Sequence, residues 1–279
     1  MYFACEAVLP RVTLHSFGSS MHLLPPFTRA LMRRPAANFA EGLTSSAHLG
    51  APDYDLALKQ HDAYAQALRD CGLEVTILPP DERFPDGHFV EDPLVIFRHL
   101  AFHCRSGAPS RAQEGESLKP HLSPLRLIEP PPAARIDGGD VLFCADRVLV
   151  GISGRSNFAG FKALRAALRS VKRDIRVDPV PFSGVLHLKS GLTELAPGIL
   201  IRDPALQTEH DLNWAEVIDL PPEEGYAADV MPVNNTLFIA ANCPKAYEAA
   251  SRHCERVIAL DLSEFVKMDG GLTCLSLRY

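Results

Sequence analysis

Two short apolar runs joined by a tight turn occur four times along this chain, and that recurrence limits the fold more than any single motif. Leu94–Phe97 and Leu100–His103 make the first pair. Asp140–Cys144 and Arg147–Gly151 flank Ala145-Asp146, and Leu192–Leu195 and Ile199–Arg202 flank Ala196-Pro197-Gly198. Val230–Val233 and Thr236–Ala240 flank Asn234-Asn235. Asn and Asp suit such hairpin turns because they tolerate positive φ. Each hairpin reads as followed by a helical stretch and a further strand. Phe161, Leu164, Leu168 and Val171 form one helical stripe, and Pro244 opens another that carries Tyr247, Ala250 and Cys254. A unit that returns every ~40–50 residues signals a propeller or an array.

The ends of the chain supply the remaining unit. Phe27–Arg33 reads as a strand and Asp53–Cys71 as a helix with Leu56, Ala63, Ala67, Leu68 and Cys71 on its buried face. Gly72 marks the helix stop, and Leu73–Leu78 reads as a strand. At the other end, Gly270-Gly271 predicts a sharp backbone turn. A short strand after it would put Leu272, Cys274, Ser276 and Arg278 on one face. Pairing this last strand with the first gives a fifth unit and leaves no open sheet edge. The expected fold is therefore α/β, a five-bladed pseudo-symmetric α/β propeller. Residues 106–134, rich in proline, read as a loop-rich crossing with a short helix after Arg111 and not as a boundary. Residues 25–279 are expected to form a single domain, with 1–24 an N-terminal extension and Met21 an alternative natural start.

Composition narrows the function. A net charge of −6 gives no basic footprint for nucleic acid or an anionic membrane. No apolar stretch approaches the ~20 residues needed to span a bilayer, and Met1–Ser20 makes a poor secretory signal. Seven cysteines without a C-x-x-C pair fit reduced thiols and a cytoplasmic setting, not a disulfide framework or a structural zinc.

Polar residues at the mouths of the apolar hairpins then stand out. Asp86, Glu91 and Asp92 precede the first, where a turn cap before Pro93 explains the acids as well as a bound cation does. Asp137 and Asp140 bracket two glycines before the second; a turn explains Asp140 but not Asp137. Leu186-His-Leu-Lys-Ser190 precedes the third, its histidine equally readable as a structural one. Asp269 and Cys274 occupy the terminal turn, and the cysteine on its own could be a small buried hydrophobe. Together these residues form a constellation for thiolate chemistry: Cys274 as nucleophile, His187 as general acid and base, Asp137 to orient it. Arg111 and Arg155 add guanidinium forks suited to a ligand carboxylate, although each alone reads as a solvated surface residue.

In order along the chain, Gly42-Leu-Thr-Ser-Ser46, Pro79–Asp86, Phe89-Val-Glu-Asp-Pro93, Gly107–Arg111, Asp137–Phe143, Leu186–Ser190 and Lys267–Cys274 closely resemble the dimethylarginine dimethylaminohydrolases. These belong to the guanidino-group-modifying superfamily with the five-bladed propeller, or pentein, fold. The resemblance implies hydrolysis of Nω-methylated arginines to citrulline and a methylamine. It implies that Cys274 attacks the guanidinium carbon and that His187 protonates the departing amine and then activates water. Glu91 and Asp92 would hold the guanidinium with Asp86 nearby, and Arg111 and Arg155 the substrate α-carboxylate. Leu43, on a lid loop, and Met268 would line the pocket beside Asp269. Asp137 stands where some members have Glu; Ala112 departs from the second arginine expected there.

The residues suit this chemistry. A guanidinium, with a pKa above about 12, arrives as a cation that carboxylates can neutralise. Its carbon is already electrophilic, so neither cofactor nor metal is expected, and a thiolate at Cys274 would be inhibited by a soft metal such as zinc. The amine leaves well only when protonated, which asks for a histidine. The expected partner is a small-molecule methylated arginine; the sequence allows a homodimer. Arginine deiminase or amidinotransferase activity needs the same residues, and an arginine-binding propeller without catalysis would not need the nucleophile.

Overall fold

The computed structural model describes residues 23–279, so the Met21 start and nearly all of the expected extension lie outside the described residues. Leu23 belongs to the buried apolar cluster that also holds Val95 and Phe97.

Fifteen strands form five three-stranded sheets among the described residues. Blade one joins β1 (Arg29–Arg33) and β2 (Glu74–Leu78) to the C-terminal strand, with helix α1 (Tyr54–Asp70) between them in the chain. Blade two holds β3 (Leu94–Phe97), β4 (Leu100–His103) and β5 (Arg126–Ile128). Blade three holds β6 (Val141–Phe143), β7 (Arg147–Ile152) and, after α2 (Phe158–Val171), β8 (Arg176–Pro181). The single helical turn α3 (Leu188–Gly191) leads into blade four, β9 (Leu192–Ala196), β10 (Ile199–Arg202) and β11 (Glu216–Asp219). Blade five is β12 (Met231–Val233), β13 (Thr236–Ala240), α4 (Pro244–His253) and β14 (Val257–Leu260). Helical turn α5 (Ser263–Val266) precedes β15 (Leu277–Arg278), which returns to blade one. Every blade has one pattern: an antiparallel pair, then a third strand parallel to the middle one. β15 runs antiparallel to β1 with Ala30 opposite Arg278, closing the ring with the two ends of the fold.

Why the middle strands of the blades are so largely apolar follows from where their two faces go. In β7, Val148 and Val150 pack toward blade two, and Leu149 packs toward blade four. In β13, Leu237 and Ile239 face blade four, and Phe238 faces blade one. Alternate side chains point to opposite faces of a strand, and here both faces are covered by a neighbouring blade. The core is consequently five apolar wedges, one between each pair of successive blades.

Local signals set the helices. Asp53 caps α1 by accepting from the Leu56 N–H at 2.9 Å, and Gly72 follows its end with φ 85°. Asn157 caps α2 through the Gly160 N–H at 2.8 Å. Three expectations fail. On α1 the expected Ala67 and Leu68 are buried, with Ala57, Gln60, His61, Tyr64 and Ala65, but Leu56 and Ala63 are exposed; on α4 the expected Ala250 is buried, with Ala246 and Ala249, but Tyr247 is exposed. Hairpins one and three are not followed by α-helices: residues 109–121 make only short 3-10 turns, with Pro109 and Pro120 in the first positions of two of them, and 203–215 form no helix. Residues 273–275 form a 3-10 turn, so the last strand is just Leu277–Arg278 and Cys274 precedes it.

Candidate active site

The segments that lead into the first strands of the blades converge at the centre of the ring. Glu91-Asp92 precedes β3, Asp137 precedes β6, His187 precedes β9 and Cys274 precedes β15. All five side chains are buried. The Glu91 N–H donates to the Cys274 carbonyl at 3.3 Å, and the Gly138 N–H to the Asp92 carbonyl at 2.7 Å, so the backbone ties these segments together directly.

Glycines make the approach possible. A Cβ on Gly139 would sit 2.6 Å from His187 Nδ1 and 3.0 Å from Asp92 Oδ1, and one on Gly138 would strike the Glu91 carbonyl. The Gly270-Gly271 pair has a similar role, contrary to the turn expected there: side chains at these positions would collide with Phe89 and Asp229. The positive φ in this segment, 58°, belongs to Asp269.

His187 Nε2 lies 3.1 Å from Asp137 Oδ2, and its Nδ1 lies 3.9 Å from Asp92 Oδ1. Burial opposes a charge on the ring, but Asp92, the hydrogen-bonded Asp137 and Asp140 outweigh it and push its pKa to about 9. The resting histidine is an imidazolium at neutral pH. Cys274 goes the other way: burial, then Asp92, Asp229 and Glu91, hold its thiol well above the ordinary value. For Asp92, burial disfavours the charge, yet His187 and Arg111 prevail and keep it below the usual carboxylate range.

Glu91 Oε1 is held by Lys189 at 2.7 Å and Arg278 at 3.1 Å, and Asp92 Oδ2 by Arg111 at 2.8 Å. Their other oxygens, Glu91 Oε2 and Asp92 Oδ1, are buried without a hydrogen-bond partner, the latter 3.9 Å from His187 Nδ1. Two buried acceptors beside a thiol and an imidazolium form a receptor for N–H donors carrying positive charge.

The remaining expected residues divide into two groups. Arg111 is buried with its fork on Asp92 and on Glu114 at 2.8–3.0 Å, and Arg155 reaches Asp137 at 3.4 Å. Both arginines thus engage acids of the site itself. Asp86 accepts from the Leu43 N–H at 3.2 Å through both oxygens, and Asp269 accepts from the Ser45 N–H at 2.5 Å and the Ser46 hydroxyl at 2.6 Å. These two carboxylates fasten the 42–46 loop to the segments at 86 and 269; Leu43 on it is 44% exposed, and Met268 is buried in the cluster that holds Phe39 and Phe265.

Sequence reading missed Glu114, which fixes Arg111, and Asp229, which accepts from the Thr273 N–H at 3.1 Å beside the nucleophile. It took Asp140 for a turn residue, whereas Asp140 accepts from the Leu188 N–H at 2.9 Å and so anchors the residue after His187. Among the described residues, no group of three or more His, Cys, Asp or Glu is arranged to hold a metal.

No family model matches the chain. Among curated proteins it is 38% identical over 258 residues to the N(G),N(G)-dimethylarginine dimethylaminohydrolase of Pseudomonas aeruginosa, covering 91% of this chain and 100% of that one. Among solved structures, that of a mutant of the dimethylarginine dimethylaminohydrolase (DDAH) from Pseudomonas aeruginosa, complexed with citrulline, superposes with a TM-score of 0.82 at 36% identity, over 91% of this chain and 100% of that one. The N-terminal domain of the cyanobacterial arginine dihydrolase ArgZ superposes at 0.79 with 19% identity, over 90% and 97% of the two chains, a likeness of fold alone. Identity at this level over nine-tenths of the chain, with the propeller in place, makes this protein a member of the dimethylarginine dimethylaminohydrolase family.

Proposed function

We propose that this protein hydrolyses Nω-methylated arginines, asymmetric dimethylarginine and monomethylarginine, to citrulline and a methylamine through a covalent intermediate on Cys274. One observation carries the reading: Glu91 Oε2 and Asp92 Oδ1 are buried acceptors without hydrogen bonds, beside a buried thiol and a histidine whose pKa is raised to about 9. A guanidinium satisfies both acids and presents its carbon to the sulfur.

The steps follow from charge. In the resting site burial, and after it the nearby carboxylates, hold the Cys274 thiol protonated. An arriving guanidinium neutralises those acids, so the bound cation lowers the cost of forming the thiolate it then reacts with. The thiol proton passes to solvent, sulfur attack forms a C–S bond, the His187 imidazolium gives its proton to the methylated nitrogen, and the amine departs. Neutral His187 next takes a proton from water. The hydroxide adds to the carbon, the C–S bond breaks as the new hydroxyl proton passes to the departing sulfur, and citrulline and the thiol are released. Asp137, on His187 Nε2, orients the ring and stabilises its charge. In this reading residues 25–279 act as one catalytic domain, and the six unpaired described cysteines suit a reducing, cytoplasmic setting.

Citrulline release from asymmetric dimethylarginine, monomethylarginine and arginine tests the proposal. Turnover of the methylated substrates is expected. Turnover of arginine alone would move the activity to a deiminase with the same residues, and no turnover by folded, reduced protein would leave a binding propeller.

A further inference from the structure

Four of the five blades place a chemically active side chain within five residues of their first strand: Asp92, Asp137, His187 and Cys274. At the equivalent place in the fifth blade, ahead of β12, stands Asp229. It is 4% exposed, and its Oδ1 is buried with no partner. Its Oδ2 accepts from the N–H of Thr273, the residue before the nucleophile, at 3.1 Å. Gly271 leaves the room for this contact, since any Cβ there would run into the carboxylate. A carboxylate buried with half its acceptors unused is costly to keep for packing alone.

We propose that Asp229 is a positioning residue for Cys274: it pins the Gly271–Cys274 turn through Thr273, and its charge is one that the thiol ionises against and the guanidinium cation binds beside. The proposal rests on Cys274 being the nucleophile. The groups facing Asp229 are Glu91 ahead of β3, Lys189 on α3, Cys274 on its turn, Arg278 on β15 and Tyr64 on α1. Burial first, then Glu91, push the Asp229 pKa to about 7, against the Thr273 hydrogen bonds and Lys189. Above that pH it is a second carboxylate raising the thiol, after Asp92.

Two substitutions separate the pin from the charge. Asp229→Asn keeps an oxygen for the Thr273 N–H and removes the charge; Asp229→Ala removes both. The first readout needs no turnover: iodoacetamide modification of the Cys274 peptide, followed by mass spectrometry at about pH 8. Asp229→Asn is expected to react at least about three-fold faster than the wild type, because a like charge has gone from beside the thiolate. With asymmetric dimethylarginine, the same variant is expected to raise KM at least about three-fold with kcat held within that factor. Asp229→Ala is expected to lower kcat at least about ten-fold further, because the turn has lost its pin. Alkylation of Asp229→Asn at or below the wild-type rate overturns the proposal, as does equal kcat in the Asn and Ala variants. If Asp229→Ala does not fold, the Asn variant decides alone. Absence of citrulline from every protein would defeat the hydrolase reading, while the alkylation comparison would still judge Asp229.

Discussion

With its pKa raised to about 9 by Asp92, Asp137 and Asp140 against burial, His187 in the proposed cycle holds a proton at neutral pH and acts first as an acid. The raised pKa also sets a pH limit: below about 9 the ring is charged and can protonate the amine, and above it the proton is lost. The rate of amine departure, measured by single-turnover kinetics, is expected to fall as pH rises through about 9. His187→Ala should lose about 10²–10⁴-fold in kcat at neutral pH. A pH profile unchanged in that variant would contradict the assignment. Site residues were legible in the sequence where their type was costly for an apolar strand, as at Glu91, Asp92 and His187. Asp229 and Glu114 were not legible, because an acid at a turn is ordinary until burial is known.

Elements explain how distant residues meet. The short apolar runs gave the hairpins almost to the residue, because both faces of their middle strands are covered by neighbouring blades and favour apolar side chains. Where the chain leaves the sheet the pattern says less: Leu186–Ser190 alternates apolar and polar residues, yet it turns into α3 after His187, which buries Lys189 against Glu91 at 2.7 Å. The 42–46 loop likewise shows no periodicity; Asp86 and Asp269, far from it in sequence, hold it in place. Asp269→Ala removes three of those hydrogen bonds. Hydrogen bonds to a charged group are worth roughly 1.5–3 kcal/mol, so KM is expected to rise about ten-fold. Amide exchange at residues 43–46 should quicken, while Cys274 alkylation without substrate stays unchanged. Unaltered exchange would show that the loop is held by something else.

Across the whole molecule, closure of the ring by β15 and β1 puts nucleophile and acid, 87 residues apart, into one centre. Buried histidines outside that centre tie its stability to pH. His61 and His88 are buried with neither ring nitrogen hydrogen-bonded. Burial, and then Arg34 for His61 and His61 for His88, lower their pKa values to about 4 and about 3. The unfolded chain binds protons there at about pH 6.5, so the stability they confer is present above that pH and lost as pH falls toward about 3. His187 acts oppositely: its stabilisation is full below about pH 6.5 and lost as pH rises through about 9. The urea midpoint is expected to decline on both sides of neutrality, and a flat midpoint between about pH 4 and 6.5 would contradict the buried, unpartnered histidines. The central claim itself concerns one bond. Acid-quenched turnover of asymmetric dimethylarginine, followed by peptide mass spectrometry, looks for a substrate-derived amidino adduct on Cys274. The adduct should be present in the wild type and absent, with citrulline release, from Cys274→Ser; citrulline release by that variant, or an adduct elsewhere, would contradict the account.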